Sequence, residues 1–470
     1  MMRVKSIFII LLCSTLSVLF LAQPGYASTP ITGSPVPGMQ SYDTIIPAFM
    51  AKYNVPGGAV AVLKDGRLVF ARGYGYADTA TGAVVQPNSL FRIASLSKQI
   101  TAVTILKLVE EGRLSLDDKA FKILNLTPPA GMHVSDQRIF NITIRELLDH
   151  SGGWDSTKTW DPMFESFDIA RALGIQSPPS KEQIIEYMMT QPLQFAPGTQ
   201  FAYSNFGYLV LGRVIEKVTG QPYEDYVRAN VLAPMGITDM MVGHTLLTDA
   251  LQGEVHYYDY PGASNTESVL PPYAQVPWPY GGFYLEDMDS HGAWVASAID
   301  IVRFAASVDG AKPPPFLNST SIQTMTAPPP APLWVGSDFW YGLGWYVREP
   351  VSGKFTWWHT GSLPGTMTIV VRAYDGIIWA ALFNTRPQNS DQAFTDLDNT
   401  LWTARNAVTA WPSTDLFSTT AVPEFQINQS TILVLTFMIT LLVCYKRRTN
   451  VRLVRRFLRR LELFDGVLLT

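Results

Sequence analysis

Cysteine is almost missing from this 470-residue chain. Its two cysteines, Cys13 and Cys444, lie in apolar segments near the ends. The body between them therefore has no disulfide, no cysteine nucleophile and no thiolate metal site. Histidine is scarce too. The six histidines are scattered, without the helical or strand spacing of a metallohydrolase site, and no metal or cofactor is expected. His150, His244 and His256 read as packing or surface residues. No Gly-x-Ser-x-Gly occurs, which sets aside the common Ser-His-Asp hydrolase pattern. Positive charge is lacking in the body. Eight basic and two acidic residues fall in 446–470 and two basic residues in 1–27, leaving the body at net −12 against −4 overall. An acidic body offers no footprint for nucleic acid.

Long apolar runs occur only at the ends. Arg3 and Lys5, the run Ile7 to Leu21 and the small-x-small site Gly25-Tyr26-Ala27 predict a signal peptide over 1–27. Residues 427–445 approach the roughly 20 apolar residues that a bilayer needs, and Lys446-Arg447-Arg448 follows at once. Positive flanks stay in the cytoplasm, so a single-pass protein with its body outside the membrane is expected. In the 446–470 tail, arginines interleave with Leu453, Val454, Phe457 and Leu458, a pattern suited to an anionic lipid surface. Linkers are expected at 28–38 and 411–426.

What the body does contain is Ser95-Leu96-Ser97-Lys98, followed by Ile100, Val103, Leu106 and Val109 at helical spacing. Residues i and i+3 share a helical face, about 5–6 Å apart at Cβ, so the Lys98 amine reaches the Ser95 hydroxyl. No other lysine of the chain has serine three residues before it. A lysine in an apolar helix start activates a serine nucleophile.

Around this motif, 42–50 reads as a helix and Gly57–Leu63 and Arg67–Ala71 as strands joined by Asp65-Gly66. The Ser95 helix is expected to pack under their sheet. Residues 113–290 read as helices and loops, with a threonine-capped helix at 142–150, helices at 181–190 and 209–219, and a long Tyr/Pro/Trp/Gly-rich loop at 257–284. A helix follows Gly292, with Asp300 near its first turn. Trp340–Val347 reads as one strand, Phe355–Gly361 as a strand edge, Gly365–Arg372 and Ile377–Asn384 as a hairpin around Asp375-Gly376, and 391–410 as a closing helix. The fold class is therefore α/β in the α+β sense. An antiparallel sheet spans 39–410, flanked by terminal helices, with a helical subdomain inserted at about 113–290.

Tyr203-x-Asn205 and His359-Thr360-Gly361 complete an ordered trio with Ser95-x-x-Lys98. This trio resembles the serine β-lactamase and penicillin-binding protein superfamily, and its Tyr-x-Asn resembles the class C branch. The resemblance covers roughly 40–410 and implies a β-lactamase/transpeptidase-like fold and acyl-enzyme chemistry on a small-molecule or peptide acyl substrate. It implies that Ser95 attacks and that Lys98 holds it. Tyr203, its pKa lowered by the Lys98 cation, would act as base. Asn205 would order Lys98 and the substrate amide, and the N–H groups of Ser95 and Ser362 would bind the oxyanion beside Thr360 and Gly361. His359 stands where lysine usually helps to hold a substrate carboxylate, so ester or D-amino-acid peptide hydrolysis is expected over efficient β-lactam hydrolysis. The rival is a membrane-anchored binding or sensor module that acylates without turnover.

Overall fold

The computed structural model describes residues 29–418 except 312 and 352. The signal-peptide, membrane-span and tail assignments at 1–27, 427–445 and 446–470 lie outside the described residues. Among the described residues no helix is long and apolar enough to cross a membrane.

The chain begins with a short strand, β1 (Ile31–Thr32), then helix α1 (Gln40–Tyr53). Tyr42, Ile46, Phe49 and Met50 give α1 one apolar stripe, and Asn54 ends it with φ +53°. β2 (Gly57–Lys64) and β3 (Arg67–Asp78) follow as a hairpin. Asp65 and Gly66 both take positive φ, +51° and +74°, as a two-residue Asp-Gly turn requires.

After β3 the chain leaves the sheet. It forms α2 (Ser97–Glu110), crosses the insertion, forms α3 (Asn205–Thr219), and returns through α4 (Ala298–Asp309). Ser297 and Asp300 close a capping box at the start of α4. β4 (Phe339–Tyr341), β5 (Tyr346–Val351), β6 (Lys354–Leu363), β7 (Thr366–Arg372) and β8 (Ile378–Phe383) complete the sheet, and α5 (Ser390–Asn406) closes the fold.

Among the described residues the sheet has nine strands. Its path is β1-β3-β2-β8-β7-β6-β5-β4, with Ala83–Val84 paired off β3. All of these pairings are antiparallel. The last strand, β8, pairs with β2, so the two ends of the chain share one sheet across the insertion. α1 and α5 cover one face, burying Tyr42, Ile46, Phe70, Ile369, Trp379 and Leu397 in one core. α4 covers β2 and β8 on the other face. Covered on both sides, β8 is buried along its whole length.

The expected architecture is present, with three local differences. On the face opposite α1 and α5 the covering helix is α4, while the Ser95 helix packs chiefly on α3 of the insertion. Trp340–Val347 is not one strand, because the chain turns between β4 and β5 through Gly342 and Gly344. Gly344 has φ +85°, and a Cβ there would stand 2.6 Å from Ala102 Cβ of α2. The long 257–284 segment also carries a small hairpin, Thr266–Glu267 with Gln275–Val276.

A second sheet positions the site. Trp294–Ala296 lies between Phe91–Arg92 and Met241–Val242. Ile93 N–H donates to the Trp294 carbonyl at 2.9 Å, which sets residues 290–294 beside the turn that carries Ser95.

Candidate active site

Ser95 sits in a single 3-10 turn, Ala94–Leu96, that leads directly into α2. Ala94 takes φ +49°, a left-handed conformation that a non-glycine residue adopts at a cost of about 1–3 kcal/mol. The Ser97 hydroxyl returns a hydrogen bond to the Ala94 carbonyl at 2.7 Å, and the surrounding structure holds the bend. The first N–H groups of such a turn have no acceptor inside it.

One turn on, Lys98 is fully buried. Its Nζ lies 3.1 Å from Ser95 Oγ, 2.7 Å from Asn205 Oδ1 and 3.0 Å from the His291 carbonyl. An ammonium has three donors, and all three find acceptors here. When neutral, the amine can keep its two hydrogens on Asn205 and His291, whose oxygens can only accept. Its lone pair then faces the Ser95 hydroxyl. Burial lowers the Lys98 pKa to about 7, against an opposing pull from Asp161. The cluster is thus arranged to take the serine proton near neutrality.

Two supports hold this cluster, and neither carries a sequence signature. Asp161 accepts from Asn205 Nδ2 at 2.5 Å, which fixes the amide with its oxygen toward Lys98. Burial raises the Asp161 carboxyl, and the Asn205 bond pulls it back down. The His291 carbonyl is held by its neighbours. Asp289 Oδ2 accepts from both Lys181 and Arg213 at 2.6 Å, and the Ser290 carbonyl accepts from Thr101 at 2.6 Å. Burial works to raise Asp289, but Arg213 and Lys181 hold it below the usual carboxylate range.

Asn205 is not the cap of α3. That role falls to Ser204, whose hydroxyl accepts from Gly207 N–H at 3.1 Å. Ser204 N–H in turn donates to His150 Nδ1 at 3.1 Å. His150 is buried, and its ring lies 4.3 Å from that of Tyr203 and 4.6 Å from that of Tyr341. Burial keeps it neutral, lowering its pKa well below the ordinary value. It backs the Tyr203 ring, a role closer to the site than its sequence context suggested.

Tyr203 departs from the expectation. Its pKa is raised well above 10, because burial outweighs a lowering contribution from Ser95. The Lys98 nitrogen lies 4.8 Å from the ring centre, and with a pKa of about 7 it is a weak source of positive charge. The Tyr203 hydroxyl is buried, faces Ser95 and completes no hydrogen bond of full geometry among the described residues. Burial thus favours the protonated phenol, and it favours the neutral amine of Lys98.

The third motif lies on β6. A two-residue turn, Pro364-Gly365, joins β6 to β7 and pairs Leu363 with Thr366. Antiparallel pairs alternate, so the N–H groups of Thr360 and Ser362 point away from β7. Beyond Trp358, which pairs with Tyr346 of β5, β6 faces the Ser95 turn. Gly361 is pressed against that turn. A Cβ there would stand 3.2 Å from Ala94 Cβ and inside contact distance of the Ile93 carbonyl and Thr368 Oγ1. Gly361→Ala is therefore expected to push the Ser362 and Ser95 amides apart. An activity loss of about 100-fold or more is expected, with a lowered melting temperature. Steady-state rates and a thermal melt check this, and unimpaired activity would contradict it.

His359 is 2% exposed and neutral, because burial and the adjacent Lys98 push its pKa down to about 3. Its Nδ1 donates to the Thr360 carbonyl at 2.6 Å, which fixes the tautomer. Its Nε2 then accepts from the Tyr341 hydroxyl at 3.0 Å. Both ring nitrogens are committed. His359 offers neither charge nor a free donor to a substrate carboxylate.

No group of histidine, cysteine or carboxylate side chains suited to a metal ion occurs among the described residues. The family model described as Beta-lactamase matches residues 42–399. "Penicillin-binding protein 4*" of Bacillus subtilis (strain 168) is 28% identical over 322 residues. The match covers 68% of this chain and 65% of that protein's length. Among solved structures, the D-amino acid amidase from Ochrobactrum anthropi SV3 in complex with D-phenylalanine superposes with a TM-score of 0.60 at 23% identity, over 79% of this chain and 99% of that one. EstCE1, described as a hydrolase with promiscuous acyltransferase activity, superposes with a TM-score of 0.59 at 19% identity over the same shares. At these identities the two structures speak for the fold.

Proposed function

The chain belongs to the Beta-lactamase family, and from that premise we propose that it is a serine hydrolase working through an acyl-enzyme on Ser95. The observation that carries this reading is the buried Lys98 amine, poised near neutrality 3.1 Å from Ser95 Oγ.

Ser95 Oγ attacks the substrate carbonyl carbon as its proton passes to Lys98 Nζ. The oxyanion forms between the N–H groups of Ser95 and Ser362. Collapse breaks the bond to the leaving group, which takes a proton from Tyr203, and Lys98 restores the tyrosine proton. Water then repeats the sequence on the acyl carbonyl and frees Ser95.

The substrate is an ester or amide, and the fit favours one without a carboxylate at the third motif. A neutral His359 already bonded to Tyr341 gives β-lactams little hold. A D-amino acid amidase and a hydrolase with promiscuous acyltransferase activity among the structural neighbours agree with this range. His359→Lys is expected to raise the ratio of kcat/KM on a penicillin to that on a neutral ester about tenfold, since a charge-assisted hydrogen bond contributes on the order of 1.5–3 kcal/mol. An unchanged ratio counts against the role given to His359.

The pattern of the chain ends supports an extracytoplasmic enzyme held by one membrane span, with its basic tail on anionic lipid. Ending the chain after residue 425 is expected to move activity from the membrane pellet to the soluble fraction. Activity that stays with the pellet contradicts the anchor.

A further inference from the structure

The two N–H groups assigned to the oxyanion come from elements far apart in the chain, the turn that carries Ser95 and strand β6. A side chain of β7 bridges them. Thr368 pairs directly with Gly361, the residue before Ser362. Its hydroxyl donates to the Ile93 carbonyl at 2.9 Å, with the Gly361 carbonyl farther off at 3.4 Å. Ile93 lies two residues before Ser95. Thr368 and Ile93 are fully buried. The hydroxyl meets Ile93 in the space that Gly361 leaves free, since a Cβ at Gly361 would overlap both Thr368 Oγ1 and the Ile93 carbonyl oxygen.

Strand packing does not account for this hydroxyl. Alternation sends Met367, Ile369 and Val371 of β7 into the core beneath α1 and α5, and turns Thr368 to the opposite face. Val370 faces the same way as Thr368 and is buried as plain hydrocarbon. A valine at 368 would suit the strand equally well, being branched at Cβ in the same manner.

The Ile93 carbonyl is where the bend begins. It also accepts from Leu96 N–H at 3.2 Å, the bond that closes the Ser95 turn. A left-handed φ such as that of Ala94 persists only where its surroundings fix it. The far side of the segment is already anchored. Besides the Ile93 bond to Trp294, the buried Arg92 guanidinium donates to the Pro279 carbonyl at 2.6 Å and the His244 carbonyl at 2.8 Å. Those bonds tie residues 92–93 to the insertion, and the Thr368 bond ties them to the large sheet. Rotation of the 93–94 peptide would carry the Ser95 N–H away from that of Ser362. We infer that Thr368 is a positioning residue of the oxyanion hole, whose hydroxyl keeps the Ser95 amide in register with the Ser362 amide. The inference rests on the serine hydrolase reading above.

The test uses the full chain, p-nitrophenyl acetate as substrate and phenylboronic acid as inhibitor. In the boronate adduct Ser95 Oγ bonds to boron as its proton passes to Lys98, no group leaves, and a boron-bound oxygen takes the place of the oxyanion. Thr368→Val is expected to lower kcat/KM about 10- to 100-fold, per active site counted by fluorophosphonate titration, and to weaken boronate inhibition in the same proportion. Thr368→Ser keeps the hydroxyl and should stay within about threefold of wild type in both. A thermal melt reports that each variant is folded, and Thr368→Ala carries the same expectation as Thr368→Val should the valine variant fail to fold. Full activity without the hydroxyl, a loss of activity with unchanged boronate affinity, or a serine variant as poor as the valine one overturns the positioning role and leaves the hydrolase reading in place. A wild type that neither turns over the ester nor takes the fluorophosphonate overturns both.

Discussion

Ser95→Ala is expected to lower turnover by about 10⁴-fold or more on any ester or amide that the wild type hydrolyses. A nucleophile that forms the covalent intermediate has no substitute within the cluster, and losses of this size follow its removal in other serine hydrolases. The fold should survive. The side-chain oxygen that is lost has Lys98 as its hydrogen-bond partner, and Lys98 keeps Asn205 and His291. The variant should therefore melt close to wild type while showing no burst of product. Residual turnover within tenfold of wild type would place the chemistry on another residue.

Lys98→Met is the second large effect, expected at about 10²- to 10⁴-fold in kcat/KM, the usual range for loss of a general base. Its diagnostic is the pH profile. A base acts in its neutral form, and the Lys98 pKa of about 7 means that the neutral form grows as pH rises through that value. Wild-type kcat/KM should rise with pH, reach half its plateau near pH 7 and then level off. His359, with a pKa of about 3, adds no step above pH 5. Tyr203 stays protonated across this window, since its pKa is raised well above 10. Tyr203→Phe should thus lower the plateau by about 10- to 100-fold without moving the midpoint, whereas Lys98→Met should remove the midpoint. A midpoint that shifts in Tyr203→Phe and persists in Lys98→Met would return the role of base to the tyrosine.

The proposed exchange of roles between Tyr203 and Lys98 shows where sequence reading stops. Ser95, Lys98, Tyr203, Asn205 and the 359–362 segment were legible because each belongs to a short motif with a chemical reason for its spacing. The structure gathers all of them around one turn. The hairpin at Asp65-Gly66 and the capping box at Ser297 were legible for the same reason, being local.

What was not legible is long-range. Lys98 loses its proton easily because the insertion buries it, and no window of sequence around residue 98 states that burial. The His291 contribution is a backbone carbonyl, which any residue type supplies. Asp161 lies 44 residues from Asn205 in a loop without a motif. His150 read as a packing residue, and it does pack, but against the Tyr203 ring. The strand expected at 340–347 breaks because Gly344 meets α2, a contact between elements more than two hundred residues apart.

The most direct measurement is the rate at which a fluorophosphonate labels Ser95 in the full chain, followed by intact mass as a function of pH. Attack of Ser95 Oγ on phosphorus expels fluoride, with the serine proton passing to Lys98, so the reagent reports the activated serine without regard to substrate preference. One adduct is expected, absent from Ser95→Ala, forming at a rate that rises with pH to half its plateau near 7. No adduct on the wild type, or an adduct whose rate does not rise with pH through that value, contradicts the assignment of Lys98 as the base that activates Ser95.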